Sequence, residues 1–320
     1  MPARKVLVTG ASGFVGGHLV DRLIADGAAI TVLVRPRSSL AARWGDKVRA
    51  VICEDWSMPG LRRALPGFAC DTVFHLAAYG VLPGDRDADA MIRINVELPA
   101  TLVRLCADWN ARLVMAGTFS EYMRPASNEP RTELSPLEPH KLYGSSKAAG
   151  GLVAGAIAKD IDVGLRILRL FKVYGAGEAS HRLLPALVQG LGQRQRVEMS
   201  PGTQILDFVY IDDVIEALLR ADDHIRDHGA VSTWNVATGQ GNSVRRFAQL
   251  VAAAMNADSN LLGFGEIAMR KDDEPWLVGA PGLMRSQLGW YPQIDLETGI
   301  KAAVAAIAGR NCGRQDGKIS

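Results

Sequence analysis

Residues 5–9, Lys-Val-Leu-Val-Thr, run without a linker into Gly10-Ala11-Ser12-Gly13-Phe14-Val15-Gly16, and the segment from Phe14 to Ala25 is amphipathic. A short β-branched strand, a glycine-rich turn and a helix in immediate succession leave few folds open. A strand that is apolar along its length needs cover on both faces, which a parallel sheet with helices on each side provides. The pattern recurs. Apolar runs stand at Ile30–Val34, Val48–Cys53, Thr72–Leu76 and Arg112–Ala116, and again at Val163–Leu170 and Thr233–Ala237, with helix or loop patterns between them. Right-handed crossovers then predict an α/β fold with a doubly wound sheet.

Two stretches, Gly175–Pro201 and Asp258–Tyr291, break the alternation with Arg, Gln, Gly, Pro and Trp. The reading is a Rossmann domain over residues 1–174, with 206–238 returning to it, and a smaller α/β substrate-binding region from 175–205 and 239–309. The polar residues 310–320 read as a disordered tail. At 320 residues with 48% hydrophobic content, the chain buries a sizeable core without disulfide staples. Its 36 basic and 34 acidic residues nearly cancel and form no basic run, which excludes a nucleic-acid stripe. No apolar stretch is long enough for a membrane span. The first residues lack the apolar core of a signal peptide. The four cysteines, Cys53, Cys70, Cys106 and Cys312, form no CxxC pair, so no metal site is expected. Free thiols without a secretion signal fit a reducing cytoplasm.

The glycine turn has the mechanics of a dinucleotide site. Its glycines permit a tight turn, a close backbone approach to pyrophosphate and close helix–strand packing, while the helix N-terminus offers N–H groups to the phosphates. A plain structural turn is the alternative. Past the second strand, Val34-Arg35-Pro36-Arg37-Ser38 holds two guanidiniums and a hydroxyl where an NAD site carries a carboxylate. Arg35, Arg37 and Ser38 therefore point to NADP, with NAD as the alternative, and to solvated arginines if neither binds there.

Tyr143 and Lys147 lie four residues apart and share a face of a helix. A neighbouring cation lowers a phenol's proton affinity, so the pair could move a proton at a substrate oxygen. Thr118 follows the fifth strand, at the sheet end where ligands sit in such folds.

With these residues in view, the chain resembles the extended short-chain dehydrogenases/reductases, in the branch of nucleotide-sugar epimerases, dehydratases and reductases. The likeness runs through the glycine turn, Asp55-Trp56, His75-Leu76-Ala77-Ala78, Asn95, Thr118, Tyr143 and Lys147. It continues through Leu170-Phe171-Lys172-Val173-Tyr174-Gly175, Asp207-Phe208-Val209-Tyr210-Ile211-Asp212-Asp213-Val214, Arg270 and Leu288-Gly289-Trp290-Tyr291-Pro292. The resemblance implies that Gly10, Ser12, Gly13, Phe14, Val15 and Gly16 cradle the pyrophosphate. It places Asp55 and Trp56 near the adenine, and Leu76, Ala77, Ala78, Asn95 and Val173 along the rest of the cofactor, with a helix-capping or loop-bonding amide as the alternative for Asn95. Tyr143 would be the proton donor or acceptor, Lys147 its modulator and a cofactor ligand, and Thr118 a partner of the reacting oxygen. On the substrate side it implies Thr118, Ser120, Tyr143, Lys172, Arg182, Leu183 and Arg270. It also implies a homodimer paired through the helix after Asn95 and the helix of Tyr143.

The chain departs from that pattern in three places. Phe119 and Ser120 stand where dehydratases of the branch carry Asp-Glu. Lys172 replaces an Asn that helps bind the substrate diphosphate, and Leu206 replaces an Arg. The expectation is an NADP-dependent reductase of a nucleotide-diphosphate 4-keto-6-deoxy sugar. The alternatives are an NAD-dependent nucleotide-sugar 4-epimerase, a reductase of a non-sugar ketone, and a non-catalytic NAD(P) sensor.

Overall fold

The computed structural model describes residues 3–36, 41–82, 84–224, 229–270 and 273–315. The N-terminal half alternates strand and helix. The chain begins β1 (Lys5–Thr9), α1 (Phe14–Ala25), β2 (Ala29–Val34), α2 (Ala41–Trp44), β3 (Val48–Ile52), α3 (Met58–Ala64) and β4 (Thr72–His75). It continues α4 (Ala88–Ile92), α5 (Leu98–Trp109), β5 (Arg112–Thr118), α6 (Leu142–Asp160), β6 (Leu165–Leu170) and β7 (Lys172–Tyr174). Next come α7 (Leu183–Gly192), β8 (Val197–Met199), β9 (Ile205–Leu206), β10 (Phe208–Tyr210), α8 (Ile211–Asp223) and β11 (Val231–Val236). The rest is β12 (Asn242–Ser243), α9 (Val244–Ala254), β13 (Leu262–Phe264), β14 (Trp276–Leu277), α10 (Gly282–Leu288) and α11 (Leu296–Gln315).

Seven strands form one parallel sheet in the order β11-β6-β5-β4-β1-β2-β3. The chain winds outward from β1 through β2 and β3, then crosses back to β4 on the other side of β1. The crevice between the carboxyl ends of β1 and β4 is therefore the topological switch point, where such sheets bind ligands. Alternate residues face opposite cores, as the pleat requires. Val6 and Val8 of β1 join one cluster with Leu19 and Val20 of α1 and Val214 and Leu218 of α8. Leu7 joins the other, with Leu102 of α5 and Ala154 of α6.

The helix starts are legible in chemistry. Ser57, Asp87 and Ser243 cap α3, α4 and α9 through bonds to the Gly60, Ala90 and Arg246 N–H groups, each contributing about 1 kcal/mol over alanine. Gly13 begins α1 with no side-chain cap, which leaves the first-turn N–H groups facing the switch point.

Among the described residues, three small sheets lie beyond the main one: β10-β7, β12-β9-β14 and β13-β8. Asp207 ties them together. Its carboxylate accepts from the Thr238 N–H and hydroxyl and from the Gly239 and Gly279 N–H groups, and its carbonyl accepts from Lys172 N–H. Asp213 does the same for the C-terminal segment, accepting from Gln293 and Ile294 N–H. The motif around Asp207 and Asp213 is thus structural. At the opposite end of the main sheet the fully buried Asp222 pairs with Arg4, with Arg112 at 2.6 Å and with the Thr72 hydroxyl at 2.9 Å.

The expected tail is corrected in part. Residues 310–315 continue α11, because each residue added to a running helix gains a hydrogen bond. Residues 316–320 lie outside the described residues. Among the described residues no helix is long and apolar enough to cross a membrane.

Candidate active site

The site is assembled at the switch point. Gly10 ends β1 with a φ of +74°, and a Cβ there would lie 2.5 Å from Ala77 N. A Cβ on Gly16 would run into the Gly10 carbonyl. Only glycine lets this turn fold back between α1 and the Leu76–Ala78 segment, and the resulting cradle fits a pyrophosphate. Ser12 and Gly13 are exposed on the turn, with Phe14 and Val15 half-buried behind them.

His75 ends β4 and is fully buried, its Nδ1 2.8 Å from the Thr9 hydroxyl. Burial, with Lys147 nearby, holds its imidazole down to about 3, so it is neutral and braces β1 against β4. Arg35 is exposed just past β2. Arg37 and Ser38 lie outside the described residues. Asp55 sits exposed in the turn after β3, with one oxygen on Ser57 N–H and the other on Arg63, and Trp56 beside it is half-buried. Leu76, Ala77 and Ala78 follow β4, half-buried.

Asn95 bonds a loop, one of the two roles open to it. It lies in a π turn over Arg93–Glu97 between α4 and α5 and is fully buried. Its Oδ1 accepts from Tyr79 N–H at 3.0 Å, while its Nδ2 donates to the Tyr79 carbonyl and to the Ser146 hydroxyl. Every polar atom of the amide is spent inside the protein. Asn95 therefore holds the segment after β4 against α6. The bulged turn lets its carbonyl abut Gly150, where any Cβ would collide.

Thr118, Tyr143 and Lys147 do come together. The Thr118 hydroxyl lies near enough to the Tyr143 phenol to favour its ionised form. Lys147, 3% exposed, donates from Nζ to the Ala116 carbonyl of β5 at 2.8 Å. The expected lowering of the phenol is not what this environment produces. Burial pushes Tyr143 up to about 12, with the Glu121 carboxylate adding to the rise, against the Thr118 hydroxyl and the Arg182 charge. The Lys147 ammonium is spent on a carbonyl, and burial lowers its own proton affinity.

On the substrate side, the Lys172 ammonium stands 4.7 Å from the Phe119 ring centroid in a cation–π arrangement. Burial lowers its proton affinity, Arg182 lowers it further, and Asp273, Glu274 and Glu178 oppose them. Ser120 and Val173 are half-buried, and the exposed Arg182 starts α7 before the half-buried Leu183. Arg270 is exposed, with its N–H on Asp273 Oδ2.

Sequence reasoning gave no role to Glu178 or Glu121. Glu178 accepts from Gly175 N–H at 3.0 Å and is pushed up to about 7 by burial. Glu121 is 1% exposed and paired with Arg169 at 2.7 Å. Its one signal was a carboxylate three residues after Thr118, a capping-box spacing. Among the described residues no His, Cys, Asp or Glu group could hold a metal ion.

A family model described as "NAD dependent epimerase/dehydratase family" matches residues 6–237. The chain is 27% identical over 310 residues to CDP-abequose synthase of Salmonella typhimurium, covering 92% of this chain and 96% of that protein. It is 29% identical over 312 residues to the dTDP-6-deoxy-L-talose 4-dehydrogenase (NAD(P)(+)) of Kitasatospora kifunensis, covering 94% of each. The crystal structure of UDP-glucose 4-epimerase with UDP-glucose from Thermotoga maritima superposes with a TM-score of 0.85 at 22% identity, covering 96% of this chain and 99% of that one.

Proposed function

This chain belongs to the NAD dependent epimerase/dehydratase family and is an NAD(P)-dependent enzyme of the extended short-chain dehydrogenase/reductase type, and from that premise we propose that it reduces a nucleotide-diphosphate 4-keto-6-deoxy sugar with NADP as cofactor. The observation that carries the proposal is Phe119. It follows Thr118 directly, where elimination of water needs an acid, and its ring is packed against Phe171 and faced by Lys172. With no acid or base there, the Thr118, Tyr143 and Lys147 side chains are left with oxidoreduction.

The bound cofactor supplies the hydride. Gly10, Gly13 and Gly16 and the uncapped start of α1 would hold its pyrophosphate, and Arg35 would meet the 2′-phosphate, a role the sequence also gives to Arg37 and Ser38 outside the described residues. Thr118 orients the sugar oxygen. Tyr143, protonated throughout the neutral range, donates its proton to that oxygen, and Lys147 binds the cofactor ribose. Lys172 and Arg182 offer cations to the substrate anion in place of the family's Asn and Arg, with Ser120, Leu183 and Arg270 beside them. Residues 175–205 and 239–309 form the substrate-binding region. The subunits pair through α5 and α6, a reading supported by exposed Leu152 and Val153 on α6 and Ile92 on α4.

A titration of NADPH against NADH on nucleotide-stripped protein tests the cofactor. Binding of NADPH that weakens about tenfold or more in Arg35→Ala, with NADH unaffected, is the expected result; a guanidinium–phosphate pair lost is of that size. Retained NAD, identified by mass spectrometry, with no response to Arg35→Ala would overturn it and favour a 4-epimerase.

A further inference from the structure

The helix that starts at the glycine turn reaches the substrate side through two of its own side chains. His18, in the second turn of α1, donates from Nε2 to the Ala176 carbonyl at 2.7 Å, across 158 residues of chain. A carbonyl only accepts, so Nε2 carries the ring proton. Four residues earlier and on the same face, Phe14 stands edge-on to the His18 ring, with centroids 5.5 Å apart. A Cβ on Gly175 would stand 3.4 Å from Phe14 Cζ and run into Ile211 of α8, so residue 175 is held between the two helices.

Ala176 is 3% exposed, and among the described residues no other donor reaches its carbonyl. Without His18 that carbonyl is a buried acceptor with no partner, which costs more than the loss of an average hydrogen bond. The turn is also closed from its far end. The Glu178 carboxylate accepts from Gly175 N–H at 3.0 Å, and Arg182, which begins α7, donates its N–H to the Ala179 carbonyl at 2.9 Å.

The turn lies between two cations. β7 enters it from Lys172, and α7 leaves it at Arg182. Both are assigned above to the substrate anion, and the charges of Arg182 and Glu178 reach Lys172. At the other end of the contact, Phe14 follows Gly13 at the uncapped start of α1. One short path, from Gly13 through Phe14 and His18 to residues 175–178, therefore joins the cofactor face to the substrate face.

We propose that His18 is a positioning residue that couples the two halves of the site: with the start of α1 held by the cofactor, the His18–Ala176 bond and the Phe14 ring seat the 175–178 turn and so place Lys172 and Arg182. The inference rests on the cofactor reading above, which supplies the group that holds α1. Such coupling is reciprocal, so order on the substrate side raises cofactor affinity by the same factor.

The test is hydrogen exchange of the full chain, alone and with saturating NADPH or NADH, read over residues 10–18 and 175–182. It needs no sugar substrate. In the wild type, the dinucleotide that slows exchange at 10–18 also slows it at 175–182, there by about three- to tenfold, the size of one hydrogen bond. His18→Leu and His18→Met remove the donor but leave apolar bulk against Phe14; they keep the slowing at 10–18 and lose it at 175–182. His18→Gln, whose amide donates to the same carbonyl, restores it and so separates a lost bond from a damaged fold. A merely structural histidine would give faster exchange at 175–182 in His18→Leu and His18→Met with the dinucleotide-dependent ratio unchanged, and that result overturns the proposal. So does a wild type slowed at 10–18 and not at 175–182. Exchange at 10–18 that answers to neither dinucleotide removes the cofactor from α1, and the proposal with it.

Discussion

Burial dominates Tyr143 at the scale of the single residue. A phenol pushed up to about 12 stays protonated at neutral pH and is poised to give a proton. The direction is the useful fact. As a donor, Tyr143 is lost only as pH climbs toward its raised value, so reduction suffers no loss from Tyr143 ionisation below about pH 10. The reverse oxidation needs the phenolate and gains with rising pH. Tyr143→Phe lowers kcat by about 10²–10⁴-fold, the range for a positioned acid. Steady-state rates against pH check both statements, and a Phe variant turning over within a few-fold of wild type would remove Tyr143 from the chemistry. Tyr143, Lys147 and Thr118 were legible as candidates from helical spacing, the end of the fifth strand and the family resemblance together. The raised proton affinity of Tyr143 was not, because it comes from burial and from Glu121 against Arg182, which lie 22 residues before it and 39 after it.

Elements here approach as closely as their glycines allow. α1 enters the switch point because Gly16 has no Cβ to strike the Gly10 carbonyl, and α6 meets the π turn because Gly150 has none to strike Asn95. Gly16→Ala displaces the turn at a cost of roughly 1–3 kcal/mol, the usual penalty of overpacking. NADPH affinity, read by fluorescence titration, falls at least about tenfold as the close backbone approach is lost. Binding unchanged in that variant would mean that the turn does not cradle the phosphates. Strand positions were readable to within a residue or two at most ends, as at Lys5–Thr9 and Ala29–Val34, because buried parallel strands are apolar along their length. The π turn left no sequence mark. Asn95 stayed open between a cofactor ligand and a loop-bonding amide, because an amide alone does not say whether its partners are a nucleotide or a backbone.

Across the whole molecule, the seven-stranded sheet places the glycine turn, Thr118 and the α6 side chains at one edge, while Asp222 with its partners closes the other. Leu152, 63% exposed on α6, lies on the face proposed to pair subunits. Leu152→Arg buries an unpaired charge in such a pair and converts dimer to monomer by light scattering; a wild-type monomer, or a variant dimer of undiminished affinity, would sink the pairing. The sequence by itself determined the doubly wound sheet, the glycine turn after its first strand, and Tyr143 and Lys147 as candidates on one helix. Those depend on local periodicity, on glycines next to a strand, and on spacing within one helix. Only the tertiary structure decided that Asn95 bonds Tyr79 and Ser146, that burial raises the proton affinity of Tyr143, and that Glu121 answers to Arg169. Each of these depends on what burial removes from water and on which distant residues the fold then brings within bonding distance.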